Sequence, residues 1–346
     1  MSCGNPGGVS RRELICLLCA AVSVGPGAVF AETAGKVWRI GVFHVGVDHV
    51  PETLDGLREG LRALGYDVGS SPMTRASRVV SGRNIRLDWR NVSDDAAALA
   101  TAREFVGDRV DLIVAVENHT TRAAHTATSD IPVVFLQVPD PVAEGFVNSL
   151  AHPGTNLTGF ADFFFELVPK RLELFKELIP ELQRFLVLID PDDSETALML
   201  REVRTACTEL AIEPVERQVR SSDDIERAFG SVKPDAVQGV FIASALLYKR
   251  FSPLILRLAS DRKLVVPFHR RAWVVQGALF SYGPNYPVLG RDAAAYVDKI
   301  LHGTKPADLP VQRATHFELV INKRTAKALG ITIPYSVLAR ADEVIE

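Results

Sequence analysis

Residues 110–137 read VDLIVAVENHTTRAAHTATSDIPVVFLQ. Two runs of nearly continuous apolar residues, at 110–116 and 131–137, flank a segment at 120–128 that we predict to be helical. Strands that are apolar along their whole length, rather than at every second residue, are typical of parallel sheets buried on both faces. This strand–helix–strand unit therefore predicts an α/β fold, with helices on both sides of a parallel sheet.

The same alternation of strand and helix extends in both directions from this unit. Upstream, the sequence predicts strands at 37–43 and 84–89 and helices at 54–64 and 96–106. Downstream, it predicts strands at 184–189, 214–219, 236–242, 264–268, 278–282 and 316–321 and helices at 170–178, 195–209, 222–229, 253–260, 289–301 and 323–329. The chain is longer than the size at which a single hydrophobic core stops growing, so we expect two doubly wound parallel-sheet lobes with a hinge.

Three breaks in the pattern indicate how the chain divides between these lobes. They lie at 154–160, 283–287 and 305–310, and they fit a chain that crosses between two lobes three times. We predict one lobe from residues 32–158 and 285–310 and a second lobe from residues 159–284 and 311–346. Residues 70–81 fit neither a helix nor a strand, and we interpret them as an exposed insertion.

The first 31 residues have the layout of a secretory signal peptide. Ser10, Arg11 and Arg12 precede an apolar run at 14–24, and a site of small residues ends at Ala31. The apolar run is shorter than the roughly 20 residues that a membrane-spanning helix needs. The paired arginines resemble a twin-arginine export signal, although the general secretory route stays open. We therefore predict a periplasmic protein that is cleaved near Ala31.

Cysteine content and charge narrow the choice of partners. Removal of the signal peptide would take away Cys3, Cys16 and Cys19, and the remaining Cys207 is predicted to be a buried structural thiol. The formal net charge of −3 becomes −4 once two arginines and one glutamate leave, and no cluster of Lys and Arg forms a basic stripe. Nucleic acid and anionic membranes are therefore poor candidate partners, and we expect a monomer that binds a small molecule.

The sequence offers little support for catalysis. It lacks a G-x-S-x-G nucleophile elbow, a G-x-G-x-x-G turn after the first strand and a G-x-x-x-x-G-K-[ST] phosphate loop. Its eight histidines show no H-E-x-x-H spacing. His44 and His49 follow the first strand closely enough for a surface metal site, but ordinary loop histidines are the favoured interpretation. We predict a binding protein without a cofactor or metal.

Candidate ligand-binding residues follow the strands, because ligands of open parallel sheets sit beyond the carboxyl ends of the strands and beside helix N-termini. The polar residues at these positions, with one phenylalanine from the predicted crossing between lobes, are His44, Glu117, Asn118, His119, Thr120, Gln137, Asp140, Phe163, Ser194, Glu195, Thr196, Ser244 and Tyr282. For Asn118, Thr120 and Ser194, helix capping is the competing interpretation.

Glu117 and Asp140 indicate what kind of ligand these positions could hold. A carboxylate that follows an apolar strand is partly desolvated and is best satisfied by a cation, such as a ligand amine or a nearby arginine. Helix N-termini on both sides could meanwhile bind a carboxylate. A zwitterion similar to an amino acid would satisfy both requirements. Residues 163–165 are three phenylalanines, which either form an apolar wall for the ligand or pack the hinge.

Several segments resemble one family along almost the whole chain after the signal peptide. They include KVWRIGV at 36–42, LREGLRALGY at 57–66, IPVVF at 131–135, GTNLTGF at 154–160, KRLEL at 170–174, SYGPN at 281–285 and FELVIN at 317–322. These segments resemble ABC-transporter substrate-binding proteins, the family that includes tryptophan- and tyrosine-type binders. The chain departs from the family in the insertion at 67–81 and in the bulkier, more polar loop at 118–121.

The resemblance implies a type I periplasmic-binding fold, in which a ligand is held between two lobes that close by hinge motion. It also implies an ABC permease in the membrane as the partner that receives the ligand. Two other functions stay open from the sequence. One is a periplasmic sensor subunit that uses the same closure for signalling, and the other is a secreted α/β enzyme.

Overall fold

The computed structural model describes residues 1–2, 36–46, 52–69, 79–82, 84–193, 195–233 and 236–346. Residues 38–346 form one compact unit, and the elements and contacts below belong to it. Three sequence predictions fall wholly or partly outside the described residues: the signal peptide from residue 3 onward, residues 70–78 of the insertion, and the candidate Ser194.

The helices and strands follow the alternating order that the sequence predicts. In chain order, the first are β1 (Trp38–Val45), α1 (Glu52–Ala63), β2 (Val79–Ser81), β3 (Ile85–Val92), α2 (Asp95–Gly107), β4 (Leu112–Val116), α3 (Glu117–Ala127), β5 (Val133–Val138) and β6 (Leu157–Ala161). The next are α4 (Val168–Leu178), β7 (Arg184–Ile189), α5 (Thr196–Leu210), β8 (Glu213–Gln218), α6 (Ser222–Gly230), β9 (Val240–Ile242), α7 (Ala245–Asp261) and β10 (Pro267–Phe268). The last are α8 (Arg271–Val275), β11 (Phe280–Pro284), α9 (Tyr286–Leu301), β12 (Gln312–Arg313), β13 (Phe317–Asn322), α10 (Lys323–Leu329), α11 (Tyr335–Leu338) and β14 (Glu343–Ile345).

Seven strands form one sheet in the order β12-β6-β5-β4-β1-β3-β2, and every pairing except β2 with β3 is parallel. Val114 in the central strand β4 pairs with Val42 on one side and Val134 on the other. Side chains of β4 alternate between two hydrophobic clusters, one on each face of the sheet. Burial on both faces explains why β4 is apolar throughout and why β5 is apolar except at Gln137, near its end.

The second half of the chain forms two smaller sheets. Their orders are β8-β7-β9 and β10-β11-β13-β14, and a single bridge between Gly239 and Val265 links them. The first of these sheets is parallel, as predicted, whereas β11 and β13 are antiparallel. Two hydrophobic clusters cover the sheets of this half. The predicted α/β class with doubly wound sheets is confirmed.

Strand β6 occupies residues that the sequence assigns to a connection between lobes. Gly159 lies inside this strand, and a Cβ atom at this position would overlap the carbonyl oxygen of Phe135 on the neighbouring strand. A glycine in a strand weakens the sequence signal, although here it permits the close approach of two backbones. Because β6 and β12 pair, residues 159–161 and 312–313 belong to the first sheet, rather than to the second lobe in the predicted division.

Helix α9 follows β11 of the second half but packs on α1 beside the first sheet. Glycines allow this close contact. A Cβ at Gly290 would overlap the carbonyl oxygen of Thr53, and a Cβ at Gly56 would overlap that of Pro287. This packing fixes Tyr286, the first residue of α9, beside the carboxyl end of the first sheet, as the contacts of its ring and hydroxyl show below.

The described residues contain one cysteine, Cys207, which is free and buried within α5. Burial raises the pKa of its thiol to about 12, so the thiol stays protonated at neutral pH. The predicted structural role of this residue agrees with its place in the core cluster of the second half.

Candidate functional site

A pocket lies where the loops and helix N-termini that follow the strands of both halves meet. From the first half, α3 contributes Glu117 and Asn118, and the end of β5 contributes Gln137. From the second half, residues at the start of α5 and in α7 face them, together with the segment after β10. This is the location that the rule for open parallel sheets predicts.

Glu117 has an uncommon backbone conformation within the pocket. It has a φ of +77°, which is uncommon for a residue with a side chain, and it begins α3 directly at the end of β4. Its carboxylate lies 2.5 Å from Nζ of Lys249 and 3.8 Å from Nη2 of Arg270. Burial disfavours the charged carboxylate, but these two cations outweigh burial and lower the pKa of Glu117.

Arg270 connects several groups of the pocket. Its Nη2 donates to Oε1 of Gln137 at 2.6 Å, and its guanidinium lies 4.2 Å from the centre of the Tyr286 ring. The side-chain amide of Gln137 in turn donates to the hydroxyl of Thr53 in α1. Gln137 also has a positive φ, of +59°. Arg270 is thus held in a fixed orientation by a planar stack and a hydrogen bond.

Two further carboxyl groups of the pocket favour their protonated forms more than usual. Burial raises the pKa of Asp162 to about 6, against the opposing effect of Arg270. Burial and the neighbouring Asp193 raise the pKa of Glu195 to about 8. The amide of Asn118 donates to Glu195 at 3.4 Å, which connects the start of α3 to the start of α5.

Aromatic side chains form much of the remaining wall. The ring of His269 lies 5.5 Å from that of Phe164 and 4.6 Å from that of Tyr248. Burial lowers the pKa of His269 well below its ordinary value, and the adjacent Arg270 acts in the same direction, so the imidazole is neutral. Trp273 lines the same pocket and stacks on Phe268, with ring centres 5.5 Å apart.

Some buried polar atoms of the pocket have no hydrogen-bond partner among the described residues. They are Oδ1 of Asn118, Oδ1 of Asp162, the hydroxyl of Tyr248 and Nδ1 of His269. Most buried polar atoms in folded proteins do have a partner. The pocket therefore combines two acceptors, Asn118 Oδ1 and Asp162 Oδ1, with the cations Lys249 and Arg270, and a bound polar solute could pair with both.

Five of the candidate residues from the sequence line this pocket: Glu117, Asn118, His119, Gln137 and Glu195. Four of the others lie outside the lining and make hydrogen bonds within the protein. Thr120 donates to the backbone of Val116, and Thr196 donates to that of Asp190. Ser244 caps α7 and donates to Asp193, and Asp140 accepts from two backbone amides of its own turn. For Thr120 and Ser244, local hydrogen bonding at a helix is thus their observed contact.

Three aromatic candidates also lie outside the pocket lining. His44 stacks on Trp89 in the first sheet, with ring centres 5.4 Å apart. Tyr282 packs near Phe317, and Phe163 packs under the guanidinium of Arg313 at 3.9 Å. Phe163 has a φ of +43°, so this crossing carries an uncommon backbone conformation.

Phe164, one of the three phenylalanines considered as an apolar wall, lines the pocket. Sequence reasoning missed other residues of the lining, namely Asp162, Tyr248, Lys249, His269, Arg270, Trp273 and Tyr286. Lys249 and Tyr248 lie in the first turns of α7, which begins at Ala245 rather than at the predicted residue 253. His269 and Arg270 directly follow β10. The rule of polar residues after strands would have found them, had it been applied to that strand.

Within the described ranges, no group of three or more His, Cys, Asp or Glu side chains is arranged to hold a metal ion. Among the same residues, no helix has the length and apolar character needed to cross a bilayer.

Comparison with known proteins agrees with this architecture. A family profile described as "ABC transporter substrate binding protein" matches residues 40–345. A tyrosine-binding protein of Clostridioides difficile (strain R20291) is 29% identical over 251 residues, which cover 72% of each chain.

Two solved structures extend the comparison. A Streptococcus pneumonia ABC domain in complex with L-Trp is 25% identical, has a TM-score of 0.76, and covers 90% of this chain and 100% of its own. The ligand-free, open structure of a Clostridium difficile substrate-binding protein with adhesive properties is 26% identical, with a TM-score of 0.65 and coverages of 89% and 99%. The resemblance found in the sequence is thereby confirmed, and the chain belongs to the family of ABC transporter substrate-binding proteins.

Proposed function

We propose that this protein captures an amino acid with an aromatic side chain in the pocket and delivers it to an ABC importer. The observation that carries the proposal is the presence of both charge types in one aromatic-lined pocket. Lys249 and Arg270 supply cations, and Asp162 and Glu195 supply carboxyl groups. A zwitterion is the small solute that pairs with both kinds of group at once.

The unpartnered acceptors indicate where the two ends of the solute bind. Oδ1 of Asp162 and Oδ1 of Asn118 are buried acceptors that suit the ammonium group. Arg270 presents a planar guanidinium, which can bind a carboxylate through two parallel hydrogen bonds. The carboxylate of Glu117 lies beside both Lys249 and Arg270 and holds these two cations at the pocket.

The aromatic wall supports the choice of side chain. Phe164, Trp273 and Tyr286 offer ring faces and edges, and aromatic pairs contribute about 0.5–1.5 kcal/mol beyond the burial of their area. The similar proteins whose ligands are known include one solved with L-Trp and one that binds tyrosine. These facts favour an aromatic amino acid over a sugar or an aliphatic acid.

Hinge closure between two lobes is part of this proposal. In this proposal, the chain crosses between the lobes at residues 161–164, 284–286 and 313–317. Each of these segments joins an element of the first sheet, or α9, to an element of the second half. The contacts Glu117–Lys249 and Asn118–Glu195 would close the cleft. The higher similarity to the L-Trp complex than to the open, ligand-free structure supports a closed arrangement.

Substrate-binding proteins of ABC importers work outside the cytoplasm. We place this chain in the periplasm as a monomer, after cleavage of the signal peptide near Ala31. Its role in this proposal is binding rather than catalysis, since its relatives are binding proteins.

A thermal-shift screen of amino acids against the purified protein tests the proposal. Tryptophan, tyrosine or phenylalanine should raise the unfolding temperature, because a solute at 100 times its Kd adds about 2.7 kcal/mol to the free energy of unfolding. Tryptamine and indole-3-propionate, which each lack one charged group of the zwitterion, should give smaller shifts. The proposal fails if no amino acid changes the unfolding temperature and calorimetry also detects no binding.

The aromatic wall has its own test within the same screen. Trp273→Ala should weaken the binding of the aromatic amino acid by about threefold to tenfold, while it changes the binding of leucine less. Tyr335→Ala is the matched control, because Tyr335 is 85% exposed and does not line the pocket. An equal loss for aromatic and aliphatic solutes would contradict the assigned role of Trp273.

A further inference from the structure

Arg171 is a buried charge that the pocket described above does not use. It lies in α4 with no exposed surface, and burial lowers the pKa of its guanidinium. Its only hydrogen bond among the described residues runs from Nη2 to the carbonyl oxygen of Phe164, at 3.0 Å. Nε and Nη1 have no partner there. Two of its nitrogens are therefore available to a group that the protein itself does not supply.

Two more buried polar groups without a described partner lie near this guanidinium. They are the hydroxyl of Tyr248 and Nδ1 of His269. Helix α4 packs against β10, which His269 directly follows. The ring of His269 is 4.6 Å from that of Tyr248.

Phe164 contacts both the guanidinium of Arg171 and the side chain of His269. Its carbonyl oxygen accepts the hydrogen bond from Arg171, and its ring lies 5.5 Å from that of His269. The charge of Arg171 also acts electrostatically on both Tyr248 and His269. The guanidinium of Arg171, the hydroxyl of Tyr248 and Nδ1 of His269 thus lie together behind the aromatic wall, and Tyr248 and His269 also line the pocket.

The charge of this cluster is unbalanced. None of the carboxylates in the described ranges forms an ion pair with Arg171 within 4.0 Å, and among carboxylates its electrostatic influence comes from Asp162. By contrast, Lys249 and Arg270 share the carboxylate of Glu117. A buried charge without a partner is strongly destabilising. A water molecule would satisfy the hydroxyl of Tyr248 but would leave the positive charge in place.

We propose that Arg171, Tyr248 and His269 form an anion subsite at the back of the pocket, which holds one small monovalent anion. The guanidinium and the hydroxyl of Tyr248 supply N–H and O–H donors, and the neutral imidazole can supply another. The anion enters through the pocket that Tyr248 and His269 line. It is either a free halide, with the solute carboxylate on Arg270, or the solute carboxylate itself in place of that contact, and the two sources differ in their tests.

The first test needs no solute and is independent of the proposed function. The unfolding temperature of the purified protein is measured in sodium chloride and in sodium isethionate at equal ionic strength. If the subsite takes a halide, chloride should raise the unfolding temperature by about 2 °C or more. Arg171→Met should abolish this difference. Lys170→Met, a change at the exposed neighbour on the same helix, should retain it.

The second test addresses the carboxylate and rests on the proposed function. Calorimetry compares the aromatic amino acid with the amine that lacks its carboxylate. If this carboxylate occupies the subsite, Arg171→Met should reduce the preference for the amino acid at least about tenfold, and Lys170→Met should leave it unchanged. If the amino-acid screen detects no binding, this second test cannot be made, but the chloride measurement still tests the subsite.

Tyr248→Phe is a second variant of the subsite, which keeps both tests decisive if Arg171→Met does not fold. It removes only an unpartnered hydroxyl, and it should weaken the halide shift or the carboxylate preference while far-ultraviolet circular dichroism stays unchanged. The proposal is overturned if the wild-type protein shows no chloride shift and Tyr248→Phe, together with any folded Arg171→Met protein, retains the full preference for the carboxylate. That result would mean that the cluster holds water alone.

Discussion

The carboxylate of Glu117 lies 2.5 Å from Nζ of Lys249, although 132 positions separate the two residues along the chain. Glu117 begins the helix that follows the central strand of the seven-stranded sheet, and Lys249 lies in α7 of the second half. Both side chains are only 16% exposed. The pair therefore connects the two halves directly across the pocket, in a setting where solvent screens the attraction little.

We expect this ion pair to be energetically coupled to solute capture. Glu117→Gln and Lys249→Met should each lower the affinity for the solute about tenfold, because each leaves one buried charge unpaired. The double variant should lose little more, which corresponds to a coupling free energy of about 1–3 kcal/mol in calorimetric titrations. Arg204→Met, which breaks an exposed ion pair with Glu216, is the control. Additive losses would contradict a direct role of the pair.

Arg270 should tolerate no substitution without loss of binding. Arg270→Met removes the charge and the hydrogen bond to Gln137, and we expect at least about a tenfold loss of solute affinity. Arg270→Lys should restore little, since an ammonium group lacks the planar face that stacks on Tyr286. Arg271→Met provides the comparison, because Arg271 pairs with Glu343 instead. If Arg271→Met weakened binding equally, the assignment of Arg270 would be wrong.

The stability of the solute-free protein should fall as pH rises. The pKa of Glu195 is raised to about 8, whereas an unfolded glutamate titrates near about 4.3. Between these values the folded carboxyl group holds a proton that the unfolded chain has released, so stability is lost as pH rises towards 8. His269 acts in the opposite direction below about pH 7, because its lowered pKa keeps the folded imidazole neutral while the unfolded one, with a pKa near about 6.5, takes up a proton. We therefore expect the unfolding temperature to decrease between about pH 7 and pH 9.

Glu195→Gln should reduce this slope, because the amide cannot lose a proton. The slope should persist in part, since the pKa of Asp162, at about 6, and that of Glu318, at about 7, are raised in the same direction. Glu209→Gln, at an exposed position of α5, serves as the control. Identical slopes for Glu195→Gln and the wild-type protein would show that Glu195 is ionised in the folded state.

The packing of α1 on α9 should be highly sensitive to added volume. Gly290→Ala should lower the free energy of unfolding by about 1–3 kcal/mol, because its Cβ would collide with backbone rather than with a movable side chain. Gly107→Ala, near the end of α2, meets nothing within 4 Å, and it should be neutral or stabilise by up to about 1 kcal/mol. Urea denaturation measures both variants. Equal effects at the two positions would contradict the close contact.

The parallel sheets could be predicted because β4 and β5 are buried on both faces and are therefore apolar along almost their whole length. The same logic located Glu117 and Gln137, which sit where those strands end. Strand β6 could not be found this way. Gly159 in this strand allows the close approach of the neighbouring backbone at Phe135, which is a tertiary contact without a local signal in the sequence.

The cations of the pocket were not found from the sequence, although the rule for strand ends, applied to the strand before His269, would have included Arg270. Lys249 becomes a pocket residue only because α7 begins at Ala245, where Ser244 accepts from the amide of Leu247. Local composition favoured a later start, at residue 253. Arg270 acquires its role from stacking on Tyr286, which lies in a helix that packs on the other half of the chain. Neither relationship is local in the sequence.

Buried Cys207 has a practical consequence for measuring motion in this protein. Its protonated, inaccessible thiol will react slowly with maleimide dyes, and the other three cysteines lie within the predicted signal peptide. In a chain produced without the predicted signal peptide, surface cysteines introduced in pairs can therefore carry donor and acceptor fluorophores without removal of Cys207. Single-molecule energy transfer could then test the proposed opening and closing in real time.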